Sequence, residues 1–394
     1  MADAPIPEAP RTDLPAPSTL QGPNPQEWAI LSVGGQSVRD FESVFVQMRW
    51  AEPFSIFQFT MAERDAPFVK LQFMPGQQCN INLAGVDVIR GIIDTRQVAY
   101  TATQHNVQLT GKSDTSWISR SSVSTETGSF DGMTFQQVAQ KVLADYPAGI
   151  KVIGNLNAIP FDKLQNQPGE QIWDFLERIA RPRGIVLGSD SFGNFLLIGD
   201  HNFPVINTQL IEGQNIKTCQ CVIHKEQLYQ MYKVLAQSAA SDDNAFTAAS
   251  ELEGVWGGSA PFRSLLITPS EQPVKSQQEV TDRARNEALW HEAPQIDVTV
   301  NVQGWLRDGS NLWWPGDKVY IYSPSAPLDM VMKIYQVTFT QDNRGGTMTR
   351  LDLLPPWGLK DMGSINPGPV QNPVPVAPKE LDPTDPLYLS LTPR

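Results

Sequence analysis

Two segments of this chain, far apart in the sequence, repeat one pattern. Residues 73–83 read FMPGQQCNINL and residues 313–322 read WWPGDKVYIY. In each segment Pro-Gly predicts a turn, and the alternation of apolar and polar residues after it predicts a half-buried strand. A chain that carries such a turn and strand twice is constrained towards two β units built on the same plan.

The repeat continues downstream of each turn. A Gln-Val pair follows at nearly the same spacing, with Val98 22 residues after Gly76 and Val337 21 residues after Gly316. In both segments a polar turn and another strand come next. We therefore predict a duplicated unit in which Gly76 corresponds to Gly316 and Val98 to Val337. The alternative is that the segments are alike only because antiparallel sheets share this pattern.

The composition favours sheets and turns over long surface helices. Only 18% of the 394 residues are charged, and the chain holds 28 glycines and 32 prolines. The formal net charge of −12 disfavours a protein whose main task is to grip DNA or an anionic membrane, because such proteins usually carry basic surfaces. The three cysteines form no paired framework, which indicates folding in a reducing cytoplasm. We find neither a signal-peptide pattern nor an apolar run of about 18 residues, so we expect no membrane binding.

The pattern of elements predicts a mainly β fold with α+β insertions, containing two similar small β-barrels and a compact α+β domain. The predicted divisions of the chain are an extended Pro-rich tail over 1–26, a first β-barrel over 27–125, an α+β insert over 126–206, a second β-barrel from 207–239 plus 294–356, an irregular and helical insertion over 240–293, and a Pro-rich C-terminal tail over 357–394.

The insert begins with an amphipathic helix. Thr134 and Gln137 have the spacing of a capping box at its start. Apolar residues recur on one face of this helix and of a second one further on. We predict that the core of the insert includes Phe135, Val138, Val142, Ile172, Phe175 and Leu176.

The strongest metal-ligand pattern is Cys219-x-Cys221 with His224. On a strand, residues 219 and 221 share a face, but residue 224 points to the opposite one. A zinc site would also need a fourth ligand at a familiar spacing. We therefore interpret these cysteines as structural and buried, and we predict no metal site.

Three other patterns have plain structural readings. Glu170, Asp174 and Glu177 could form a glycosidase pair, but we interpret them as the solvated face of a helix whose other face is apolar. Gly254, Gly257 and Gly258 lack the lysine and the strand-to-helix context of a phosphate loop, so we ascribe them to backbone flexibility.

The tryptophans are predicted to cluster at the second Pro-Gly turn, in the core or at a subunit contact; they are Trp290, Trp305, Trp313 and Trp314. We predict no catalytic, cofactor-binding or metal-binding residue, and no enzyme activity.

Three segments follow one another in an order typical of a known family. They are IWDFLERIARPRGIVLGSDSFGNFLLIGD, LIEGQNIKTCQCVIH, and the stretch from RARNEALWHEAPQIDVTVNVQGW to LWWPGDKVYIYSP. Over about residues 27–356 the chain resembles the baseplate hub proteins of contractile-tailed, Mu-like phages. More distantly, it is similar to the hub part of type VI secretion spike proteins.

The resemblance implies the tail-hub fold and a structural role in the virion. A homotrimeric ring with two similar barrels per chain would adapt the six-fold tail tube to the three-fold central spike and leave a channel for DNA passage. The implied partners are the other copies, the central spike protein, the tail tube or tube-initiator protein, the baseplate wedge proteins and, as a further candidate, the tape measure protein. DNA would be met only in passage, no cofactor is implied, and synthesis would take place in the host cytoplasm.

Two other functions stay open at this point. One is a hub component of a type VI-like secretion or injection machine, which would normally continue into a long β-helical spike. The other is a tail-associated cell-wall hydrolase, which we expect less because the predicted hub domains leave no stretch of the chain for a lysozyme-like domain.

Overall fold

The computed structural model describes residues 27–62, 73–100, 105–125, 128–146, 149–226, 228–236, 252–260, 262, 264–269, 277–292 and 295–356. The fold is mainly β, with 50% strand and 16% helix, which confirms the predicted fold class. Within the described residues, no helix is both long and apolar enough to cross a membrane.

The first β unit has seven strands. They are β1 (Ala29–Val33), β2 (Gln36–Val38), β3 (Ser43–Arg49), β4 (Ile56–Ala62), β5 (Gln78–Leu83), β6 (Val86–Tyr100) and β7 (His105–Ser113). Their order in the sheet is β2-β1-β5-β6-β7-β4-β3. Gly34 and Gly35, both with positive φ, form the tight turn that joins β1 to β2, because only glycine adopts that backbone without strain.

The insert follows at once. Its elements are a 3-10 helix (Asp114–Ser119), α1 (Phe135–Val142), β8 (Ile150–Ile153), α2 (Ile172–Ala180), a second 3-10 helix (Arg181–Arg183), β9 (Val186–Ser189) and β10 (Phe195–Ile198). The capping box at Thr134 and Gln137 is formed, and all six residues predicted for the core of the insert are buried. Ile118, from the first 3-10 helix, belongs to the same core.

The remaining described elements are nine strands, which belong to two sheets, and one helix. They are β11 (Val205–Ile211), β12 (Ile216–Ile223), β13 (Met231–Ala236), β14 (Leu252–Gly257), β15 (Leu265–Pro269), α3 (Gln277–Glu292), β16 (Ile296–Gln303), β17 (Lys318–Ser323), β18 (Leu328–Asp342) and β19 (Gly346–Leu354). The second β unit has the order β11-β17-β18-β19-β16-β12. It repeats the order β1-β5-β6-β7-β4-β3 of the first unit strand for strand, although β11 is parallel to β17 whereas β1 is antiparallel to β5.

The two units are joined edge to edge. β3 of the first unit pairs with β18 of the second, so that both lie in one 13-stranded sheet. One apolar core runs through both units and includes Phe57, Phe59, Trp305, Trp313 and Phe339, all nearly inaccessible. Whether each unit closes as a barrel stays a prediction, and so does the division into domains outside residues 207–293.

Two expectations for residues 207–293 are wrong in detail. Residues 207–239 were expected to supply one hairpin to the second barrel, but no two described strands within them pair with each other: β11 pairs with β17, β12 with β16 and β13 with β14 and β15. β13, expected in the second β unit, pairs instead with β14 and β15, and α3 packs on this small sheet. Part of the segment expected to be irregular is therefore a separate α+β unit. A strand pattern shows that one face will be buried, but not which sheet will bury it. The two predicted tails, 1–26 and 357–394, lie outside the described residues.

Candidate functional site

The two Pro-Gly turns have the same hydrogen bonds. The Gly76 N–H donates to the Ile93 carbonyl at 2.8 Å, and the Gly316 N–H donates to the Ile334 carbonyl at 2.8 Å. The return bond runs from the Ile93 N–H to the Gln77 carbonyl at 3.0 Å, and from the Ile334 N–H to the Asp317 carbonyl at 2.9 Å. The correspondence of Gly76 with Gly316 is thus confirmed.

The other predicted correspondence is wrong by two residues. Because Ile93 corresponds to Ile334, residues on β6 match residues 241 positions later on β18. A break in register follows in both strands, between Ile93 and Thr95 and between Ile334 and Gln336. Val98 therefore corresponds to Phe339, while Val337 corresponds to Arg96.

The joint between the two units is an antiparallel strand pair, which we call the seam. It places Ser43 to Arg49 of β3 against Asp342 to Gln336 of β18, with Val46 opposite Phe339. Across it the Arg49 Nε donates to the Gln336 Oε1 at 2.5 Å, and the Gln47 Nε2 donates to the Thr338 Oγ1 at 3.3 Å. The seam thus joins the units by backbone pairing, apolar packing and polar side-chain contacts.

The strands that correspond to the two strands of the seam each have an open edge, along which no described strand pairs with them. β12 corresponds to β3, and among the residues that the structure describes it is the last strand of the sheet on its side. β6 corresponds to β18, and no strand among the described residues pairs with the β5-facing edge of its C-terminal half. We call these the β12 edge, residues 218–223, and the β6 edge, residues 95–100.

Side-chain exposure differs sharply between the seam and the open edges. Phe339 is 0% exposed, but its counterpart Val98 is 39% exposed. Met48 is 4% exposed, but its counterpart on β12, Ile223, is 55% exposed. Tyr100, at the end of the β6 edge, is 76% exposed. A flat edge that exposes unpaired backbone groups and apolar side chains is a site for pairing with another strand.

Cys219 and Cys221 lie at the β12 edge. They are half-buried, point towards the main core and correspond to Val44 and Val46 of β3. Burial raises the pKa of both thiols, and Asp297 adds to the rise for Cys221. Neutral, half-buried thiols agree with a packing role. Among the described residues, no group of three or more His, Cys, Asp or Glu side chains has the arrangement of a metal site.

The carboxylates considered for glycoside chemistry are not one helical face. Glu170 precedes α2, accepts the Gln167 N–H at 2.8 Å, and binds Arg178 through two hydrogen bonds of 2.8 and 3.0 Å. Glu170 therefore links the residues before α2 to the second turn of that helix. The reading of all three carboxylates as one solvated face is wrong for this residue.

The glycines of EGVWGGS have a steric role that pattern reasoning missed. A Cβ on Gly254 would lie 2.3 Å from the Val280 carbonyl oxygen of α3, so the glycine lets helix and strand pack in direct backbone contact. The tryptophans also divide. Trp305, Trp313 and Trp314 join the main core, whereas Trp290 lies with Trp50 in a separate cluster.

A cavity of about 310 Å³ lies beside that second cluster. Its walls come from the insert, α3 and both β units, and include Trp173, Arg181, Trp290, Glu52 and Tyr335. Arg181 stacks over the Trp290 ring at 5.0 Å and pairs with Glu287 at 3.7 Å. Burial raises the pKa of Glu52, and Arg49 opposes the rise. The contacts of Arg181 thus join the insert to α3 and indicate a packing role for these residues.

Two family models and one curated protein match parts of this chain. Residues 29–113 match the family described as "Mu phage baseplate assembly protein GpP-like, N-terminal", and residues 115–199 match "Baseplate hub protein gp44-like, second domain". The baseplate hub protein gp44 of Escherichia phage Mu is 23% identical over 297 residues, which are 72% of this chain and 76% of that protein.

Solved structures share the fold. The 43 kDa tail protein of prophage MuSo2 from Shewanella oneidensis has a TM-score of 0.73 at 20% identity, covering 85% of this chain and 99% of that one. A component of the type VI secretion system of E. coli has a TM-score of 0.51 at 12% identity, covering 82% and 76%. These matches confirm the resemblance found in the sequence: the chain is similar to the Mu-like phage baseplate hub proteins, and it shares its fold with a type VI secretion component.

Proposed function

We propose that this chain forms the baseplate hub of a contractile phage tail as a homotrimeric ring. The observation that carries the proposal is the duplication: one chain holds two β units with the same strand order and the same Pro-Gly turn. Three such chains present six nearly equivalent units to a six-fold tail tube, while their unlike parts keep three-fold symmetry for a spike.

The partners follow from this position in the tail. On the axis the ring contacts the tail tube or tube-initiator protein on one side and the central spike on the other. Baseplate wedge proteins surround it, and the tape measure protein is a further candidate. The role is structural rather than catalytic, and the site of action is the virion tail after synthesis in the host cytoplasm.

The charge supports a channel for DNA. The chain carries a formal net charge of −12. A ring of acidic subunits repels the phosphates of a passing genome, so that DNA slides through without adhering.

The first test is the mass of the full-length protein in solution, measured by light scattering over a range of concentrations. The proposal predicts a species of about three times 43.7 kDa. A stable dimer or hexamer would contradict it. Because phage components often assemble only with their partners, the same measurement should be repeated with the spike protein present.

The likeness to the type VI component favours a second candidate, a hub in a phage-like secretion or injection machine. Both candidates require the same ring and differ in what lies around it. A pull-down of the native complex separates them: tail tube and wedge proteins of a phage support the first. The third candidate, a cell-wall hydrolase, predicts a fall in the turbidity of a peptidoglycan suspension, whereas the hub predicts none.

A further inference from the structure

We infer that the β6 edge of one copy pairs antiparallel with the β12 edge of a second copy, with Val98 opposite Cys221. This inference deepens the proposed ring and rests on it, because it states which strands join the copies and in which register. The occupant of both edges is thus a second copy of this chain.

The seam supplies the template for the pairing. There the first unit contributes β3 and the second contributes β18. The second unit carries its own version of β3, which is β12, and the first carries its own version of β18, which is β6. Each edge left open is therefore the counterpart of a strand that is already paired within the chain.

The register on the β6 side follows from the shared turn. Val98 corresponds to Phe339, since Ile93 and Ile334 occupy the same place in the two Pro-Gly turns. In the seam Phe339 faces Val46. Val98 must therefore face the counterpart of Val46.

The register on the β12 side follows from the neighbouring strands. Val46 faces Phe57 on β4, as Cys221 faces Val298 on β16. Phe57 and Val298 in turn face equivalent positions on β7 and β19. Cys221 is thus the counterpart of Val46, and the seam places it opposite Val98.

The predicted pair brings compatible side chains together. Arg96, Val98 and Tyr100 would face Ile223, Cys221 and Cys219 on one side of the sheet, and Thr95, Gln97 and Ala99 would face His224, Val222 and Gln220. No like charges are opposed, which would destabilise an antiparallel pair. The exposed side chains Val98 and Ile223 would gain the cover that Phe339 and Met48 already have in the seam.

The geometry is head-to-tail. Each chain offers one β6 edge and one β12 edge, so a copy that accepts a neighbour on one side presents the other edge to the next. A heterologous contact of this kind closes into a ring or continues as a filament. A two-fold dimer would instead pair β6 with β6 or β12 with β12.

The test is a cysteine cross-link in the full-length protein. Val98→Cys places a thiol opposite the native Cys221, within reach of a disulfide if the register is right. Cys79 should not interfere, because burial raises its pKa to about 12. After mild oxidation, denaturing electrophoresis should show chains linked in twos and threes.

Three controls fix the register. Ala99→Cys points to the other face of the strand and should yield on the order of tenfold less product. Cross-linking by Val98→Cys should persist with Cys219→Ser and disappear with Cys221→Ser. Product that survives Cys221→Ser would overturn the inference, since it would mean a two-fold β6–β6 contact or a shifted register.

Light scattering on the reduced variants separates this inference from the proposed function. A trimer that forms without the Val98–Cys221 cross-link overturns the strand pairing and leaves the ring standing. A protein that gives neither trimer nor cross-link, with or without the spike protein, counts against both.

Discussion

The two β units of this chain have one strand order but two different surroundings. β3 and β18 are covered by each other, and their inward side chains Val44, Val46 and Phe339 are fully buried. Their counterparts on β12 and β6 are Cys219, Cys221 and Val98, which remain partly exposed. Each unit therefore carries one edge of the β3 type and one of the β18 type. Within a single chain only one edge of each type is paired.

The Pro-Gly turns differ in the same way. Gly76 and Gly316 share a positive φ and the same hydrogen bonds. A Cβ on Gly76 would meet no atom of the described residues within 4 Å, whereas one on Gly316 would lie 2.4 Å from the Trp50 ring. One turn faces open space, and the other is packed into the body of the protein.

The largest expected contrast is between Phe339 and its counterpart. Phe339→Ala should lower the free energy of unfolding by about 3–5 kcal/mol, because it empties a packed site in the seam. Val98→Ala should change that of the monomer by less than about 0.5 kcal/mol, since the side chain is largely at the surface. Urea denaturation at low protein concentration measures both. If the two substitutions lowered the free energy of unfolding by similar amounts, the description of one edge as covered and the other as open would be contradicted.

The next contrast concerns the two turn glycines. Alanine at either position must adopt a left-handed backbone, which costs about 1–2 kcal/mol. Gly316→Ala should cost about 1–3 kcal/mol more than Gly76→Ala, because its Cβ would also displace the Trp50 ring. Thermal or urea unfolding of the matched pair decides the matter. If Gly76→Ala were the more damaging, the turns would not be packed as described.

The smallest contrast concerns Cys79 and its counterpart Val319, each of which lies three residues after the glycine of its Pro-Gly turn. It is seen in how the stability of the fold depends on pH. Burial, with Asp114 nearby, raises the pKa of the Cys79 thiol from 9.0 to about 12. The folded state therefore holds its proton more tightly than the unfolded state does. The resulting stability is complete below pH 9 and is lost as the pH rises towards about 12.

Cys79→Val, which installs the residue of the second unit, removes this pH dependence. At pH 7 the variant should differ from the native chain by less than about 1.5 kcal/mol. Between pH 9 and 11 it should lose less stability than the native chain does, in urea titrations at each pH. Parallel curves for the two proteins would show that the thiol is not held as the structure indicates.

Much of this fold could be predicted from local patterns. The repeated turn at Gly76 and Gly316, the capping box at Thr134 and the core of the insert at Phe175 each depend on neighbours in sequence. The correspondence of Val98 with Val337 failed for an equally local reason. A strand pattern has a period of two, so a shift of two residues leaves it unchanged, and the irregularity after Ile93 cannot be seen in it.

The seam could not be predicted from the sequence. Nothing in the sequence of β3 or β18 alone indicates that they pair. The pairing of strands far apart in the chain depends on how all the strands of the sheet pack together. For the same reason β13 was predicted in the wrong sheet. Its alternation of apolar and polar residues predicts a strand but not the sheet that the strand joins. The candidate site, a pair of open edges, becomes visible only when covered and uncovered copies are compared.

The most direct test of the central claim is density at the tip of the tail, obtained by cryo-electron microscopy of particles that contain this chain. The account predicts three copies on the tube axis, forming a ring of six β units in which the seam alternates with β6–β12 pairs between copies. Six copies of the chain, or copies placed away from the axis, would contradict it.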